Sequence, residues 1–360
     1  MASVIDTPVA DPLIQDLRRR RKAGAVHAAL FALLLVTALA SLTVGATGVS
    51  LGGAVWDFMV GRQIGVLEAT VLWDIRAPRT IMGILVGAAL AVSGAVMQGL
   101  FRNPLADPGL LGVSAGASLG AVGAIVLGVW LPAAVVGFFG FALLPLAAFL
   151  GAWVVMLTLY GLATRRGRTS VGTMLLGGIG ISALAGALNG LMVFIADDLQ
   201  LRELTFWGLG SLTGATWAKT VVAGPVILVS TLAAMSLAQG LNSLSVGEAT
   251  ARHIGVDVQT LKRWAILSVA AATGAAVAVS GGIGFIGIVV PHLLRLATGA
   301  DHRRLLLNAA LLGASLLLGA DMISRVIVAP TELPIGIVTA VLGAPVFLWI
   351  LLRQRGVVDI

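Results

Sequence analysis

Long apolar runs, separated by short charged segments, organise the whole chain. A membrane-spanning helix needs roughly 20 apolar residues, and most of these runs reach or exceed that length. The stretches without a formal charge are 23–56, 80–101, 108–164, 169–196, 220–247, 264–294, 305–320 and 333–352. The run 108–164 turns at Trp130–Pro132 and the run 264–294 is interrupted at Gly281–Gly284, so each contributes two helices. The pattern predicts an all-α, polytopic membrane protein with ten spans.

Composition excludes a water-soluble protein. Apolar residues make up 58% of the 360 residues and charged residues 11%, against roughly 25% charged residues in a typical soluble domain. The period-two alternation of membrane β-strands is absent, which leaves a helical protein in a lipid bilayer. The chain has no cysteine, so a disulfide framework and a thiolate metal site are excluded.

The basic residues predict the orientation. Because ten is even, both ends lie on one side, and 17 of the 23 Lys and Arg residues fall on that side. The positive-inside rule makes this side the cytoplasm, so the chain is predicted to be N-in and C-in. The sequence divides into a cytoplasmic tail at 1–22, a single transmembrane domain at 23–353 and a cytoplasmic tail at 354–360. A net charge of +7 concentrated in short loops is typical of membrane orientation and not of nucleic-acid binding.

Several kinds of chemistry are missing from the sequence. No Asp, Glu or Lys lies well inside a predicted span, whereas ion-coupled carriers usually hold their ion on such groups. The stretch Gly282–Gly287 matches a dinucleotide-binding fingerprint but lies between two spans, and no phosphate-binding loop ending in Gly-Lys-Ser/Thr occurs. We therefore expect no catalytic residue, no metal ligand and no ATP hydrolysis in this chain. An ion-coupled secondary transporter and a membrane anchor or scaffold are the alternatives from other classes.

The cytoplasmic segment 245–258 carries the signals of a short, separate helix. Ser245 and Glu248 fit a capping box, with Ser245 as the N-cap. Glu248 and Arg252 stand at positions i and i+4, and Gly255 suits the left-handed position that ends a helix. Arg252 and His253 are predicted to be exposed. A solvated loop helix is one interpretation, and the length of the loop favours a docking surface instead.

Three arginines lie at the predicted outer ends of spans, with Arg76 and Arg79 before the second and Arg325 before the tenth. Asp321 precedes Arg325 by four residues and Glu332 follows it by seven, so local ion pairs are able to neutralise it. The spacing alone leaves two interpretations open. One is a charged docking surface, and the other is local pairing of Arg325, with Arg76 and Arg79 serving as ordinary interfacial anchors.

Several motifs together resemble one transporter family. The turn Asn103–Pro108 contains two X-Pro steps, which predict a rigid connection between the second and third spans. With other segments it resembles the permeases of type II ATP-binding-cassette importers for iron–siderophores, heme and cobalamin. The matching segments are Arg76–Thr80, Gly87–Gln98, Asn103–Gly112, Gly284–Gly287, Val290–His292 and Glu332–Gly336. The resemblance extends from about residue 23 to residue 353.

The resemblance implies an assembly in the inner (cytoplasmic) membrane of a bacterium. The ten-helix permease would form a homodimer, with the translocation pathway at the dimer interface. Two ATPase subunits would bind on the cytoplasmic face and use ATP and Mg, and a periplasmic substrate-binding protein would dock outside. This chain itself would bind no cofactor, and it would contact the lipid bilayer but no nucleic acid.

The resemblance also assigns roles to residues by their position. Those expected to receive acidic residues of the binding protein are Arg76, Arg79 and Arg325. Those expected to couple the permease to the ATPase are Ser245, Glu248, Arg252, His253 and Gly255. Those expected to form the cytoplasmic gate are Asn103, Leu105, Thr169 and Ser170.

Hemin is the expected substrate. The segments Asp197–Trp207, Gly210–Leu212 and Ala329–Glu332 look most like the heme-importing members of the family. A ferric siderophore or cobalamin is the alternative. The chain has four His and one Tyr, and no residue cluster suggests iron ligation. The lack of such a cluster fits a pathway that passes an intact chelate. It does not distinguish heme from a siderophore as the substrate.

Overall fold

Helices make up nearly all of the structure. The computed structural model describes residues 12–45, 48–49, 51–62 and 65–358. The helices of the first half are α1 (Pro12–Thr43), α2 (Leu51–Met59), α3 (Val66–Ala69), α4 (Ala77–Phe101), α5 (Val113–Leu127), α6 (Ala133–Phe139), α7 (Leu143–Ala163) and α8 (Val171–Ile195). Those of the second half are α9 (Asp198–Gly208), α10 (Trp217–Ser236), α11 (Ala238–Ser245), α12 (Glu248–His253), α13 (Val258–Ser280), α14 (Ile286–Thr298), α15 (His302–Val326) and α16 (Ile335–Val358).

Short elements connect the helices. A π-helical turn at Thr70–Arg76 joins α3 to α4, and 3-10 turns lie at Pro108–Leu111, Gly128–Trp130 and Gly140–Ala142. Between α7 and α8, strands β1 (Thr164–Arg165) and β2 (Arg168–Thr169) form a small antiparallel hairpin.

The described residues contain the ten spans that the apolar runs predict. Eight helical segments are long and apolar enough to cross a membrane, and two shorter apolar helices, α14 and Ile335–Ile350 of α16, complete the set. The eighth span, α14, is short, with 13 residues. The ninth, predicted at 305–320, is the 25-residue α15, which includes Asp321 and Arg325.

Two span boundaries differ from the prediction. The run 23–56 is not one helix, because α1 ends at Thr43 and α2 is a separate helix. Gly48, in the connection, has a φ of 67°, which an L side chain rarely adopts. The segment Val66–Arg79, predicted to precede the second span, is helical and continuous with it. Absence of charge therefore marks the apolar runs but not the ends of the helices.

The domain boundaries predicted at 22/23 and 353/354 fall inside helices. The first lies within α1, which begins at Pro12, and the second lies within α16, which continues to Val358. The remainder of the predicted tails, 1–11 and 359–360, lies outside the described residues.

The interior is built on α4, α13 and α15. Their most apolar stretches are 78%, 72% and 56% buried, whereas those of the 133–163 segment and α8 are 6% and 11% buried and so face outward. Glycines allow the central helices to touch. A Cβ on Gly87 would come within 2.5 Å of the Gly313 carbonyl oxygen, and one on Gly94 would overlap the carbonyl oxygen of Gly287. The small-residue pattern of the sequence thus serves close helix packing.

Breaks in three helical segments meet at one side of this core. The N–H of Ser211 donates to the carbonyl of Ser280 at 2.7 Å, and the N–H of Ile335 donates to the carbonyl of Gly210 at 3.0 Å. These bonds join the ends of α9, α13 and α16. Backbone groups without helical partners are thereby satisfied inside the protein.

Candidate functional sites

Arg79 is the centre of a buried ion-pair cluster on the predicted outer side. Its Nε donates to the two carboxylate oxygens of Asp321 at 3.0 and 3.2 Å, and its Nη2 donates to Asp321 Oδ1 at 2.8 Å. Nη1 and Nη2 donate to the two oxygens of Glu332 at 3.0 and 2.8 Å. One guanidinium therefore ties α4 to α15 and to the segment before α16 through charge-assisted hydrogen bonds.

The other two arginines also have internal partners. Arg325 donates to the carboxylate of Asp321, and to the carbonyl of Ser41 at 2.8 Å. Arg76 donates to three carbonyl oxygens at 2.7–3.0 Å, two in the last turn of α1 and that of Val49. A guanidinium at this position satisfies carbonyls that the end of α1 leaves without helical partners.

The three arginines are buried and do not present free charge on the outer face, and their role in docking stays a prediction. Arg76, Arg79 and Arg325 are each 4% exposed. Internal pairing, which the spacing left open, is the arrangement in the structure, and it joins distant helices as well as neighbours in one loop. Docking of a binding protein on these residues would require the internal contacts to open.

The helix of the ninth span extends beyond its predicted end at residue 320 and so includes one carboxylate. Asp321 is fully buried within α15, where Arg79 and Arg325 balance its charge. Because both partners are arginines of this chain, Asp321 serves to hold helices together and is not free to carry a transported ion.

Glu332 is the accessible member of the cluster, with a side chain 33% exposed. Burial alone would raise the pKa of its carboxyl. Hydrogen bonds from Arg79 and Thr213, together with the charges of Arg79 and Arg325, outweigh that effect and lower the pKa of Glu332 below its usual value of 4.5. Glu332 is therefore ionised at neutral pH, and its charge belongs to the cluster.

α12 is the short helix predicted within 245–258. Arg252 Nη2 lies 3.3 Å from Glu248 Oε2, which confirms the i,i+4 pair. Gly255 has a φ of 87°, and its N–H donates to the carbonyl of Arg252 at 3.0 Å, so it ends the helix as predicted. Arg252 and His253 are exposed. The helix thus presents a basic face, while its Ala251 is fully buried.

The predicted capping box at the start of this helix is wrong. Ser245 lies in the last turn of α11, where its Oγ donates to the carbonyl of Asn242 at 2.7 Å. Gly247, with a φ of 111°, precedes α12, and no side chain caps the helix. The Glu248 carboxylate is drawn instead to Lys262, whose Nζ lies 2.7 Å from Oε1.

Lys262 connects α12 to the β1–β2 hairpin. Its side chain is 4% exposed, and its Nζ both pairs with Glu248 and donates to the carbonyl of Thr169 at 3.3 Å. The N–H of Thr169 donates to Gln259 Oε1 at 2.9 Å. Both polar groups of the Thr169 backbone are therefore held by the first turns of α13, and one of these contacts is shared with α12.

The four predicted gate residues lie in two separate connections. Asn103 Oδ1 accepts a hydrogen bond from the Leu105 N–H at 2.9 Å, which closes the turn after α4. Thr169 is 5% exposed and ends β2. Ser170 is exposed and caps α8 by accepting from the Thr173 N–H at 3.3 Å. Each residue thus has a local structural role, and its role as a gate stays a prediction.

Lys262 and Gln259 are the candidates that sequence reasoning missed. In the sequence, Lys262 is only one of the 17 basic residues on the cytoplasmic side. Its partner Thr169 is 93 residues away along the chain. No spacing rule links positions so distant, so only the folded structure reveals the connection. Among the residues that the structure describes, no group of three or more His, Asp or Glu side chains is arranged to hold a metal ion. The absence of a resident cofactor stays a prediction.

Comparison with known proteins gives concordant results. The FecCD transport family matches residues 33–353. The hemin transport system permease of Yersinia pestis is 44% identical over 327 residues, which are 91% of this chain and 95% of that protein. The vitamin B12 import system permease of Klebsiella pneumoniae is 41% identical over 326 residues, covering 90% and 92% of the two chains.

A solved structure has the same fold. It is an inward-facing conformation of a metal-chelate type ABC transporter, with a TM-score of 0.80 and 31% sequence identity, covering 92% of this chain and 99% of the other. The family match spans most of the chain, and the relatives align along nearly their whole length. This chain therefore belongs to the FecCD transport family and is the permease of a type II ATP-binding-cassette importer, a class that works with ATPase and substrate-binding partners.

Proposed function

We propose that this permease moves hemin from a periplasmic binding protein across the inner membrane of a bacterium. The observation that carries the proposal is the 44% identity with a hemin permease over 91% of the chain. The vitamin B12 permease matches at 41%, so overall identity separates the two substrates only weakly. The segments that resemble heme importers therefore matter for the choice.

Those segments lie together in the fold. Thr213 Oγ1, beside the 210–212 segment, donates to Glu332 Oε2 at 2.7 Å. The 197–207 segment begins with a complete capping box, in which Asp197 accepts from the Gln200 N–H at 2.8 Å and Gln200 accepts from the Asp197 N–H at 3.1 Å. The bond between Thr213 and Glu332 thus brings two segments that are far apart in sequence into one region, which supports a shared role in selecting the substrate.

The chemistry of the interior is compatible with a chelate that crosses intact. The described residues hold no cluster of His, Asp or Glu that would strip iron from a porphyrin. This chain would hold no cofactor, and ATP and Mg would be used by the partner ATPase.

Two copies of the permease would form the pathway between them, and each would bind one ATPase through α12. The basic, exposed face of α12 and its connection through Lys262 to Thr169 support this arrangement. In it, movement of the docked ATPase would reach the hairpin that carries Thr169 and Ser170. The gate would include these two residues and, from the turn after α4, Asn103 and Leu105.

Uptake into proteoliposomes tests the substrate. The permease is reconstituted with its own ATPase and its binding protein, and uptake of hemin, cobalamin and a ferric siderophore is measured with and without Mg-ATP. We expect ATP-dependent accumulation of hemin and little of the other two. Omission of the binding protein is the control for leakage of hemin through lipid.

The contrary results are distinct. Preferred uptake of cobalamin or the siderophore would support an importer with that substrate instead of hemin. Uptake that is independent of ATP but follows a sodium or proton gradient would support an ion-coupled carrier, and no uptake of any ligand by a complete complex would support a scaffold.

A further inference from the structure

The connection between α4 and α5 folds back into the protein and carries Asp107 to about half the depth of the membrane. A Cβ added to Gly287 would lie 2.8 Å from Asp107 Oδ2 and 3.2 Å from the carbonyl oxygen of Leu90. Leu90 is eleven residues from Arg79 and eleven from the end of α4, or roughly 16 Å along the helix in each direction. Asp107 therefore lies near the middle of the span, although it is in a loop.

The carboxylate of Asp107 has no balancing charge. Its Oδ1 accepts a hydrogen bond from the Gly109 N–H at 2.7 Å. Among the described residues it takes part in no ion pair, whereas Asp321 is paired with two arginines. Asp107 is half-buried, and an ionised carboxylate at this depth is costly unless a positive charge is supplied.

The first turn of α14 favours the ionised form of Asp107. Gly287, beside Oδ2, is the second residue of this 13-residue helix, and no side chain caps the helix. A helix N-terminus is equivalent to roughly half a positive charge. This stabilises an anion without neutralising it, so the site keeps a net negative charge that attracts a cation.

A small cavity provides the space for it. Asp107, Ser114 and Thr273 line a cavity of about 100 Å³, with Gly284 and Phe285 on its wall. The volume is enough for one ion and roughly two waters, at about 30 Å³ for a water.

The hydroxyl of Thr273 is the second indication of a ligand. Thr273 is 2% exposed, and its Oγ1 has no hydrogen-bond partner among the described residues. Both serines of α13 bond to the carbonyl four residues earlier, Ser268 to Trp264 at 2.7 Å and Ser280 to Ala276 at 2.8 Å. Thr273 does not satisfy itself in this way, and it faces the cavity that Asp107 lines.

We propose that this cavity binds one alkali cation, with Asp107 as the anionic ligand and Ser114 and Thr273 as hydroxyl ligands. Oxygen ligands suit a hard cation. A single carboxylate balances a monovalent ion, whereas a divalent ion would leave excess charge. The helix break between α13 and α14 is the kind of backbone that supplies carbonyl oxygens to sodium in membrane proteins. The bound ion would fasten the re-entrant turn to this break.

The test measures binding of radioactive sodium to the full-length permease in lipid nanodiscs, with choline chloride keeping the ionic strength constant. We expect saturable binding of one ion per chain to the wild type and none to Asp107→Asn. Thr273→Val keeps the shape of the side chain and removes the hydroxyl, so affinity should fall roughly tenfold, about the value of one polar contact. Competition by potassium measures how selective the site is.

Thr231→Val is the matched control, because the Thr231 hydroxyl is also buried but donates to the carbonyl of Ile227 at 2.7 Å. Its sodium affinity should equal that of the wild type. Because Asp107→Asn could fail to fold, the wild type is also unfolded thermally in sodium and in choline, where sodium should raise the midpoint. Wild-type binding no greater than background, or equal midpoints in the two salts, would overturn the proposal and leave Asp107 protonated. The permease is tested without partners, so the result is independent of the substrate.

Discussion

At the scale of single residues, Arg79 holds two carboxylates at once, and both its pairing and its burial predict a large effect of replacement. Arg79→Met would leave Asp321, which is fully buried, with only Arg325. We expect a loss of roughly 3 kcal/mol or more, since removing one partner of a buried pair strands the other charge. The stability loss in Arg79→Lys should be smaller than in Arg79→Met but not zero, because an ammonium keeps the charge and cannot reproduce the forked contacts. The measurement is the midpoint of thermal unfolding in nanodiscs.

Arg62→Met is the matched control for Arg79→Met. The Arg62 side chain is 70% exposed and lies 3.7 Å from Asp57, so its loss should cost less than about 1 kcal/mol. Equal effects of the two replacements would contradict a structural role for Arg79. Charge reversal at Arg79 should likewise disturb the fold first, so weaker docking of a binding protein would not by itself identify a docking residue.

Glu332 gives the cluster a pH dependence whose sign follows from its lowered pKa. A carboxyl with a lowered pKa contributes stability above its unfolded value of 4.5, and that contribution is lost as the pH falls through the folded pKa. The wild type should therefore melt above Glu332→Gln at neutral pH, and the difference should shrink below pH 4.5. Thr213→Val removes the hydroxyl that donates to Glu332 and accepts from Ser211, and it should show a smaller difference in the same direction. If the difference in melting temperature between the wild type and Glu332→Gln grew as the pH fell, the lowered pKa of Glu332 would be contradicted.

Contacts between residues close in sequence could be predicted, whereas contacts between distant segments could not. Glu248 with Arg252 and Gly255 are local signals, and the structure confirms both. The environment of Arg76 was not predictable, because the carbonyls it contacts belong to the end of α1 and to Val49. Formal charge alone placed it at a surface, whereas long-range pairing allows charged side chains to be buried inside the helical bundle.

At the scale of elements, α12 is a six-residue helix with few backbone bonds, and Ala251 makes one of them. The N–H of Ala251 donates to the carbonyl of Gly247 at 2.9 Å. Ala251→Pro removes this bond and should break the helix. In the complex with the ATPase, we expect ATP hydrolysis to continue while substrate uptake falls. Ala249→Pro is the matched control, because Pro is tolerated in a first helical turn. Normal uptake in Ala251→Pro would show that an intact α12 is not needed for coupling.

Lys262 is predicted to transmit movement between α12 and the hairpin. Lys262→Met preserves the apolar stem and removes both the pair with Glu248 and the bond to Thr169. We expect uptake per ATP hydrolysed to fall several-fold, and Lys262→Arg to restore part of it. Arg263→Met, a change at the exposed neighbour, should leave the ratio unchanged. If uptake per ATP hydrolysed were unchanged in Lys262→Met, this lysine would have only a structural role. Its replacement would then lower only the temperature of thermal unfolding.

The capping error at Ser245 shows what local rules miss. The pattern Ser-x-x-Glu is a valid start signal, but α11 ends at Ser245 and Glu248 is held by Lys262. Glu248 forms a tertiary ion pair with Lys262, so its side chain is not available to cap the helix. Similarly, Asp107 in the turn after α4 lies beside Gly287 of α14, a tertiary contact that the two prolines of the turn do not predict.

At the scale of the whole molecule, the sequence predicted the class and the number of spans better than their ends. Apolar composition leaves few alternatives to a helical bundle, so ten spans followed from run lengths. The depth of Asp107 did not follow, because no charge-free run marks a loop that returns into the bundle. Depth is set by contacts such as the one between Gly94 and Gly287, and these join helices that are far apart in sequence.

The arrangement of two copies around the pathway is testable because the chain has no cysteine. Ser170 is exposed after the hairpin, so in a homodimer whose hairpins close the cytoplasmic end, the two Ser170 positions should approach each other. With Ser170→Cys, oxidation should give a disulfide-linked dimer on a denaturing gel, since a disulfide needs Cα atoms within about 7 Å. The yield should change when ATP binds the complex, because the gate moves. Ser245→Cys, equally exposed but on the surface predicted to face the ATPase, should remain monomeric. Equal yields at the two positions would indicate random collision, and no linkage at Ser170 in any nucleotide state would place the hairpin away from the dimer axis.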